Sequence, residues 1–322
     1  MSDKDVFARI RAASAEVTRR ASFVRLMSNQ VAPYAASLAA TGLPEPVYDT
    51  AYHAHGAEAD TVAFLFTLDT VNFGSGYFPH LRKHPGMSGY LTVASSLKAR
   101  WERDGPLGGD ELRAIDAGGC ALLFGQVGNE GPAQELMGLF AQAFNDLGAW
   151  LFGRYDDDPL GPTADADHSA ARLVTQLAEM PYFRDVSSYQ GVEVPLYKRA
   201  QLLATDLAIG FAGRGPGEFD GLGRLTIFAD NLVPHVLRVD GLLEYDADLL
   251  WRIERGELIP AGSPEEVEIR AVAVHAVERI VTELCAIGVP ATARVLDYLL
   301  WNRGQGPSYK AQPRHRTRSV FY

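Results

Sequence analysis

The apolar residues of this chain recur at steps of three and four, and few stretches alternate as a half-buried strand must. Residues 134–152 show the pattern best. Leu136, Leu139, Phe140, Phe144, Leu147, Trp150 and Leu151 line one helical face, a core stripe rather than a cofactor box. The same spacing predicts helices over residues 13–26, 29–40, 171–180, 197–209, 264–284 and 291–301. The helix from Pro264 opens as helices should: Ser263 can cap it, proline suits its first position, and Glu265 and Glu266 favour its first turn. Strand signals reduce to residues 191–195 and 225–228, both short. The chain therefore reads as mainly α, a single compact helical domain over residues 1–322 with at most a small β element. A hinge or loop is expected in the Asp-, Pro- and Gly-rich stretch 153–168.

Within this helical pattern, residues 64–78 read Phe-Leu-Phe-Thr-Leu-Asp-Thr-Val-Asn-Phe-Gly-Ser-Gly-Tyr-Phe. An acid, Asp69, and an amide, Asn72, stand inside an aromatic run. A pure core segment avoids such groups, because burying them without partners costs a few kcal/mol. A pure surface loop has no use for so many rings. A pocket for a flat, hydrogen-bonding ligand needs both: Phe73 to stack, Asp69 and Asn72 to read polar edges. The plainer alternative is a buried helix whose Asp69 and Asn72 are satisfied by backbone.

Composition narrows the partners. The 322 residues are 47% hydrophobic and 22% charged, as in a soluble globular protein. The most apolar windows, such as residues 119–127, are too short to cross a bilayer, so no membrane association is expected. Met1-Ser2-Asp3-Lys4-Asp5 is charged, with no apolar leader core behind it. Cys120 and Cys285 have no metal spacing and read as reduced core thiols, which points to the cytoplasm. A formal charge of −10 argues against long nucleic acid. The best candidate for a local basic patch is the tail Lys310 to Arg318, followed by Ser319-Val320-Phe321-Tyr322; a basic tail with an aromatic end can close over an anionic ligand.

Two further segments carry candidate chemistry. In the predicted helix 197–209, Lys198 shares a face with Gln201, Leu202 and Thr205. A lysine on an apolar stripe needs an anion or must snorkel to water, and both readings stay open. Residues 225–235 read Leu-Thr-Ile-Phe-Ala-Asp-Asn-Leu-Val-Pro-His. Asp230 follows a short apolar run and precedes a helix start. It suits a carboxylate aimed at a cationic transition state, and equally a plain helix cap. Gly213-Arg214-Gly215-Pro216-Gly217 lacks the strand, helix and Lys-Ser/Thr ending of a phosphate loop and reads as a turn. His53 and His55 alone do not make a metal site.

In combination these segments resemble the queuosine salvage family of queuosine 5′-phosphate N-glycosylase/hydrolases. The resemblance rests on Leu68-Asp69-Thr70-Val71-Asn72-Phe73, Tyr197-Lys198-Arg199-Ala200-Gln201, Phe228-Ala229-Asp230, Glu266-Val267-Glu268-Ile269-Arg270, Leu296-Asp297-Tyr298-Leu299-Leu300-Trp301 and the ending His315 to Tyr322. It implies an all-α fold similar to helical DNA glycosylases. It also implies hydrolysis of queuosine 5′-monophosphate, a small nucleotide, to queuine and ribose 5-phosphate without metal or other cofactor. The family's catalytic carboxylate maps to Asp230. Where the family often continues Phe-Ala-Asp with Tyr-Arg, an aliphatic residue and Pro-Gln, this chain has Asn231-Leu232-Val233-Pro234-His235, which makes His235 a candidate substrate contact. On this reading Asp69, Asn72 and Phe73 take the base, and Lys198 with the basic tail takes the phosphate. The rival readings are a non-catalytic binder of nucleobases or modified RNA, and a glycosylase acting on nucleic acid.

Overall fold

Glu268 sits fully buried in the long helix Pro264–Ala286. Its carboxylate accepts the backbone N–H groups of Ser22, Phe23 and Val24 at 2.6 to 3.1 Å, and the Tyr189 hydroxyl at 2.7 Å. Those three amides turn the chain at the end of the first helix, Val6–Arg20. The apolar pattern had predicted helix through Leu26. Glu268 ends it early, and Val24–Leu26 instead pairs antiparallel with Leu243–Tyr245. A long-range polar partner thus overrides a local period.

The computed structural model describes residues 6–322. The charged segment Met1–Asp5, from which the absence of a leader was expected, lies outside the described residues. The architecture is mainly α, with two small two-stranded antiparallel sheets. No helix of the described residues is long and apolar enough to cross a membrane.

One domain was expected; the contacts within the chain divide into two units, each discontinuous in sequence. The first comprises the residues up to Pro46, Asp185–Lys198 and Gly221–Thr317. Its central helix is Pro264–Ala286, buried along most of its length and packed on Val6–Arg20, Ser28–Thr41, Val233–Val239 and Ala293–Gly304. The other sheet, Val186–Tyr189 with Val192–Pro195, belongs to this unit and accounts for the strand expected at 191–195. The strand expected at 225–228 does not form. Those residues are buried, but the Phe228 N–H goes to Asp297 and the Ala229 carbonyl to Arg270. Side chains thus take backbone groups that a neighbouring strand would otherwise pair.

The second unit comprises Val47–Arg184, Arg199–Asp220 and Arg318–Tyr322. Its central helix is Pro132–Tyr155, which packs on Glu58–Thr70, Gly109–Ala114 and Ala117–Leu123. Phe140 meets Phe73 and Phe124 edge to face at 5.0 and 5.2 Å between ring centres. The helix Glu58–Thr70 is buried on nearly every face along its second half, and Asp69 is buried with it. The suspected hinge at 153–168 lies inside this unit and contains a short helix, Gly161–Ala166. The glycine-rich segment 213–217 is a turn against the helix Lys198–Gly210. A Cβ on Gly217 would stand 2.4 Å from the Leu207 carbonyl oxygen, which only glycine avoids.

Glu268→Ala leaves three amides of the Ser22–Val24 turn without their acceptor. It is expected to destabilise the protein by about 3–5 kcal/mol. The measurement is the urea midpoint at unchanged slope; a loss below about 1 kcal/mol would show that this carboxylate does not hold the turn.

Candidate active site

Asp230 lies at the end of the buried run 225–229 and is itself half-buried. Its Oδ1 accepts the N–H groups of Leu232 at 2.7 Å and Val233 at 3.1 Å, at the start of the helix Val233–Val239. Pro234 in the first turn gives up an N–H that the helix could not use. The second oxygen, Oδ2, accepts no hydrogen bond among the described residues. Of the two readings open from sequence, the structure shows the helix cap: one oxygen caps the helix and fixes the plane of the carboxylate.

The chain on both sides of Asp230 is held by buried side chains. Arg270, fully buried, donates from Nε to the Ala229 carbonyl at 2.9 Å. Its terminal nitrogens grip both oxygens of buried Asp185 at 2.6 and 3.0 Å. Asp185 also accepts the Lys198 backbone N–H at 3.1 Å. One ion pair therefore ties together the residue before Asp230 and the start of the helix that carries Lys198. That lysine is buried.

Asp297, buried on the helix Ala293–Gly304, accepts the Phe228 N–H at 2.8 Å. Burial pushes its carboxyl up to about 7, and the charge of Asp230 adds to the shift; the Phe228 N–H and the Lys198 charge oppose it. Two carboxyls thus stand together in different environments, the arrangement that separates acid from base in many hydrolytic sites. Sequence reasoning assigned Asp297 no role, although the motif Leu296–Trp301 contained the signal.

His235 was expected to touch substrate. The structure gives it another part. Its Nε2 donates to the Tyr309 carbonyl at 2.9 Å, and its Nδ1 accepts from Arg238 at 3.3 Å, which assigns the ring proton to Nε2. Burial lowers its pKa to about 4, so the ring is neutral and serves to tether the C-terminal segment. Arg238 also donates to the Pro313 carbonyl at 2.9 Å, and Asn231 to that of His315 at 3.4 Å. Buried His315 is pushed down to about 3, first by desolvation and then by the charges of Arg270 and Arg314.

In the second unit, Asn72 donates to Asp69 Oδ1 at 3.1 Å, so the predicted acid and amide are partners. Burial raises the pKa of the Tyr90 and Tyr48 hydroxyls, and the charges of Asp206 and Asp69 raise it further. The Tyr90 hydroxyl also meets His53 Nε2 at 2.9 Å. Phe73 is buried, with the Arg199 guanidinium 4.8 Å from its ring centre and Phe140 against it edge to face. The ring expected to stack on a base carries a protein cation instead. Arg199, fully buried, donates to the carbonyls of Asp69, Thr70, Tyr182 and Val320 and also lies over Phe183. It fastens the last turn of the Asp69 helix. Nothing in the composition of Tyr197-Lys198-Arg199 says which of the two cations would do this. Among the described residues, no three His, Cys, Asp or Glu side chains come together as a metal site.

The site thus holds a carboxylate with one oxygen fixed by backbone amides, and a second carboxyl whose pKa burial raises to about 7. Comparison with known proteins agrees on kinship. A family model described as queuosine salvage protein matches residues 52–322. A Sphaerobacter thermophilus protein named queuosine 5′-phosphate N-glycosylase/hydrolase is 36% identical over 311 residues, covering 95% of each chain. A protein of the same name from Nematostella vectensis is 29% identical over 287 residues, covering 81% of this chain and 82% of its own. One from Dictyostelium discoideum is 41% identical over 158 residues, 49% of each. The motifs around Asp69, Lys198, Asp230, Arg270 and Asp297 all lie inside the matched span, and the chain belongs to the queuosine salvage protein family.

Proposed function

We propose that this protein hydrolyses the N-glycosidic bond of queuosine 5′-monophosphate, releasing queuine and ribose 5-phosphate, with Asp230 as the catalytic carboxylate. The observation that carries the reading is the division of labour at Asp230: Oδ1 held by two backbone N–H groups, Oδ2 uncommitted. The relatives' printed names supply the substrate. Kinship at 36% identity over 95% of the chain supports the transfer.

The physical argument starts from the leaving group. As the bond between C1′ and the base nitrogen breaks, its electron pair leaves with the base and positive charge builds on the ribose. A 7-deazaguanine lacks N7, the usual protonation site of a departing purine. More of the barrier must then be lowered from the sugar side, where each tenfold in rate needs about 1.4 kcal/mol. A fixed carboxylate facing C1′ stabilises that charge without reorganising. Water then adds its oxygen to C1′; one of its protons passes through Asp230 and the base nitrogen ends protonated. Lys198 suits the phosphate by charge. Asp69 and Asn72 suit a heterocycle's polar edge by chemistry, while the Phe73 ring lies against Arg199. Cys120 is buried as expected, whereas Cys285, expected in the core, is exposed; two cysteines not joined in a disulfide fit a cytoplasmic setting.

Asp230→Asn keeps an oxygen for the Leu232 and Val233 amides and removes the charge. Its kcat is expected to fall about 10²- to 10³-fold with the melting temperature nearly unchanged. Mass spectrometry of queuine released from queuosine 5′-monophosphate reads this directly. Wild-type turnover in the Asn variant would remove Asp230 from the mechanism. A wild-type protein that binds the nucleotide without releasing base would make it a binding module.

The reaction should also report Asp297. Below about 7 its carboxyl is neutral; above, it adds a negative charge beside Asp230 and Lys198. An anionic substrate is then repelled, so kcat/KM should decline as pH rises through about 7. Asp297→Asn retains an acceptor for the Phe228 N–H and should lose that inflection. Because the substrate phosphate itself titrates near about 6, the comparison is made between the two proteins on one substrate. An identical inflection in both would assign it elsewhere.

A further inference from the structure

One helix bears on the chain both before and after Asp230. Asp297, in the first half of the helix Ala293–Gly304, accepts the Phe228 N–H at 2.8 Å, two residues before Asp230. Gly304 ends that helix. It lies about two turns beyond Asp297 and so shares its face, with buried Leu300 between them. Gly304 is itself buried, against Leu232, two residues after Asp230. The side chain that Gly304 lacks would have no room. A Cβ there would stand 2.8 Å from Leu232 Cγ and Cδ1, and 3.0 Å from Val236 Cγ2.

This close approach matters because of what Leu232 does. Its N–H holds Asp230 Oδ1 at 2.7 Å, and the Val233 N–H adds a second bond at 3.1 Å. Leu232 and Val236 are both buried, so neither side chain can swing into solvent. Nor can the helix back away. Beside Gly304, Arg303 donates to Asp240 Oδ2 at 2.9 Å, just past the end of the helix Val233–Val239. The Tyr34 and Tyr309 hydroxyls each donate to the same carboxylate at 2.6 Å. At the other end the Phe228 bond holds it. The helix is thus fastened to this stretch on both sides of Asp230, and Leu232 is seated where a side chain is missing.

We propose that Gly304 is a positioning residue for the reaction: its bare α-carbon seats Leu232 at the depth where the Leu232 amide aims the Asp230 carboxylate. The inference rests on the catalytic part proposed for Asp230. An added methyl must be accommodated in an interior packed as densely as an organic crystal. With the helix fastened at both ends, the displacement falls on Leu232, and its amide carries Asp230 with it. Stabilising charge at C1′ depends on a carboxylate that is already in place, so a small shift of that group costs turnover. Substrate contacts made elsewhere are untouched, and the loss appears in kcat rather than KM.

The test is a double-mutant cycle in the full-length protein: wild type, Gly304→Ala, Leu232→Ala and the two together, read by queuine release from queuosine 5′-monophosphate. Gly304→Ala is expected to lower kcat about 10-fold, with KM within about twofold. Leu232→Ala clears the space that the methyl needs, so adding Gly304→Ala to it should cost less than about twofold. A general loss of stability would not be relieved in this way. Where Gly304→Ala alone does not fold, Leu232→Ala with and without Gly304→Ala carries the same comparison. By propensity alone, alanine favours a helix over glycine. Gly304→Ala with unchanged kcat, or a loss that recurs in full on the Leu232→Ala background, would overturn the assignment and leave the proposed reaction standing. A wild-type protein that releases no queuine, or an Asp230→Asn protein with wild-type turnover, would sink that reading and this inference with it.

Discussion

The buried ion pair between Arg270 and Asp185 is the interaction on which the candidate site depends. Two charges taken out of water cost several kcal/mol each unless the geometry is good and their remaining donors and acceptors are filled. Here they are filled from backbone. Arg270 reaches the Ala229 carbonyl, Asp185 accepts the Lys198 amide, and Glu266 adds a second acid on the same helix at 3.4 Å. Such a pair adds little to stability over an apolar replacement. Its effect is on position, because it can be satisfied only when the segment 225–230 and the residues around Lys198 are both in place.

Around that anchor the first unit distributes charge unevenly. Asp297 is buried and sits where burial and Asp230 both oppose its ionisation. His235 and His315 are kept neutral by desolvation and by neighbouring arginines, so neither contributes a proton near neutrality. The arginines that surround them divide in two. Arg270 and Arg238 use their donors on protein carbonyls and carboxylates, whereas Arg314 has no such partner among the described residues. Electrostatics of this kind arise from packing, since no residue in the set is unusual in type.

Much of the helical frame was legible in sequence. The stripe of residues 134–152, the cap at Ser263 and the helix 29–40 are local patterns, and local patterns survive folding when nothing distant competes. They failed where a distant partner competed. Glu268 ends the first helix at the Ser22–Val24 turn, and Asp297 and Arg270 take backbone groups of residues 228 and 229 that a strand would have paired. At the site, Asp230 and its capping role were readable because the amides it binds lie two and three residues away. The part played by Asp297 was not, because its partner is the amide of residue 228, far off in sequence. His235 and Phe73 show the converse: chemistry that invites a ligand in sequence is used by Tyr309, Arg238 and Arg199 in the fold.

The sequence by itself determined the class of fold, the helices whose apolar period no distant group contests, and the motifs that mark the family. Tertiary structure decided which titratable groups are charged, which cations are already partnered, and which oxygen of Asp230 is uncommitted. The reason is physical. Helical period and capping are settled among residues within a few positions of one another, whereas a pKa or a vacant donor depends on burial and on charges brought close only by packing.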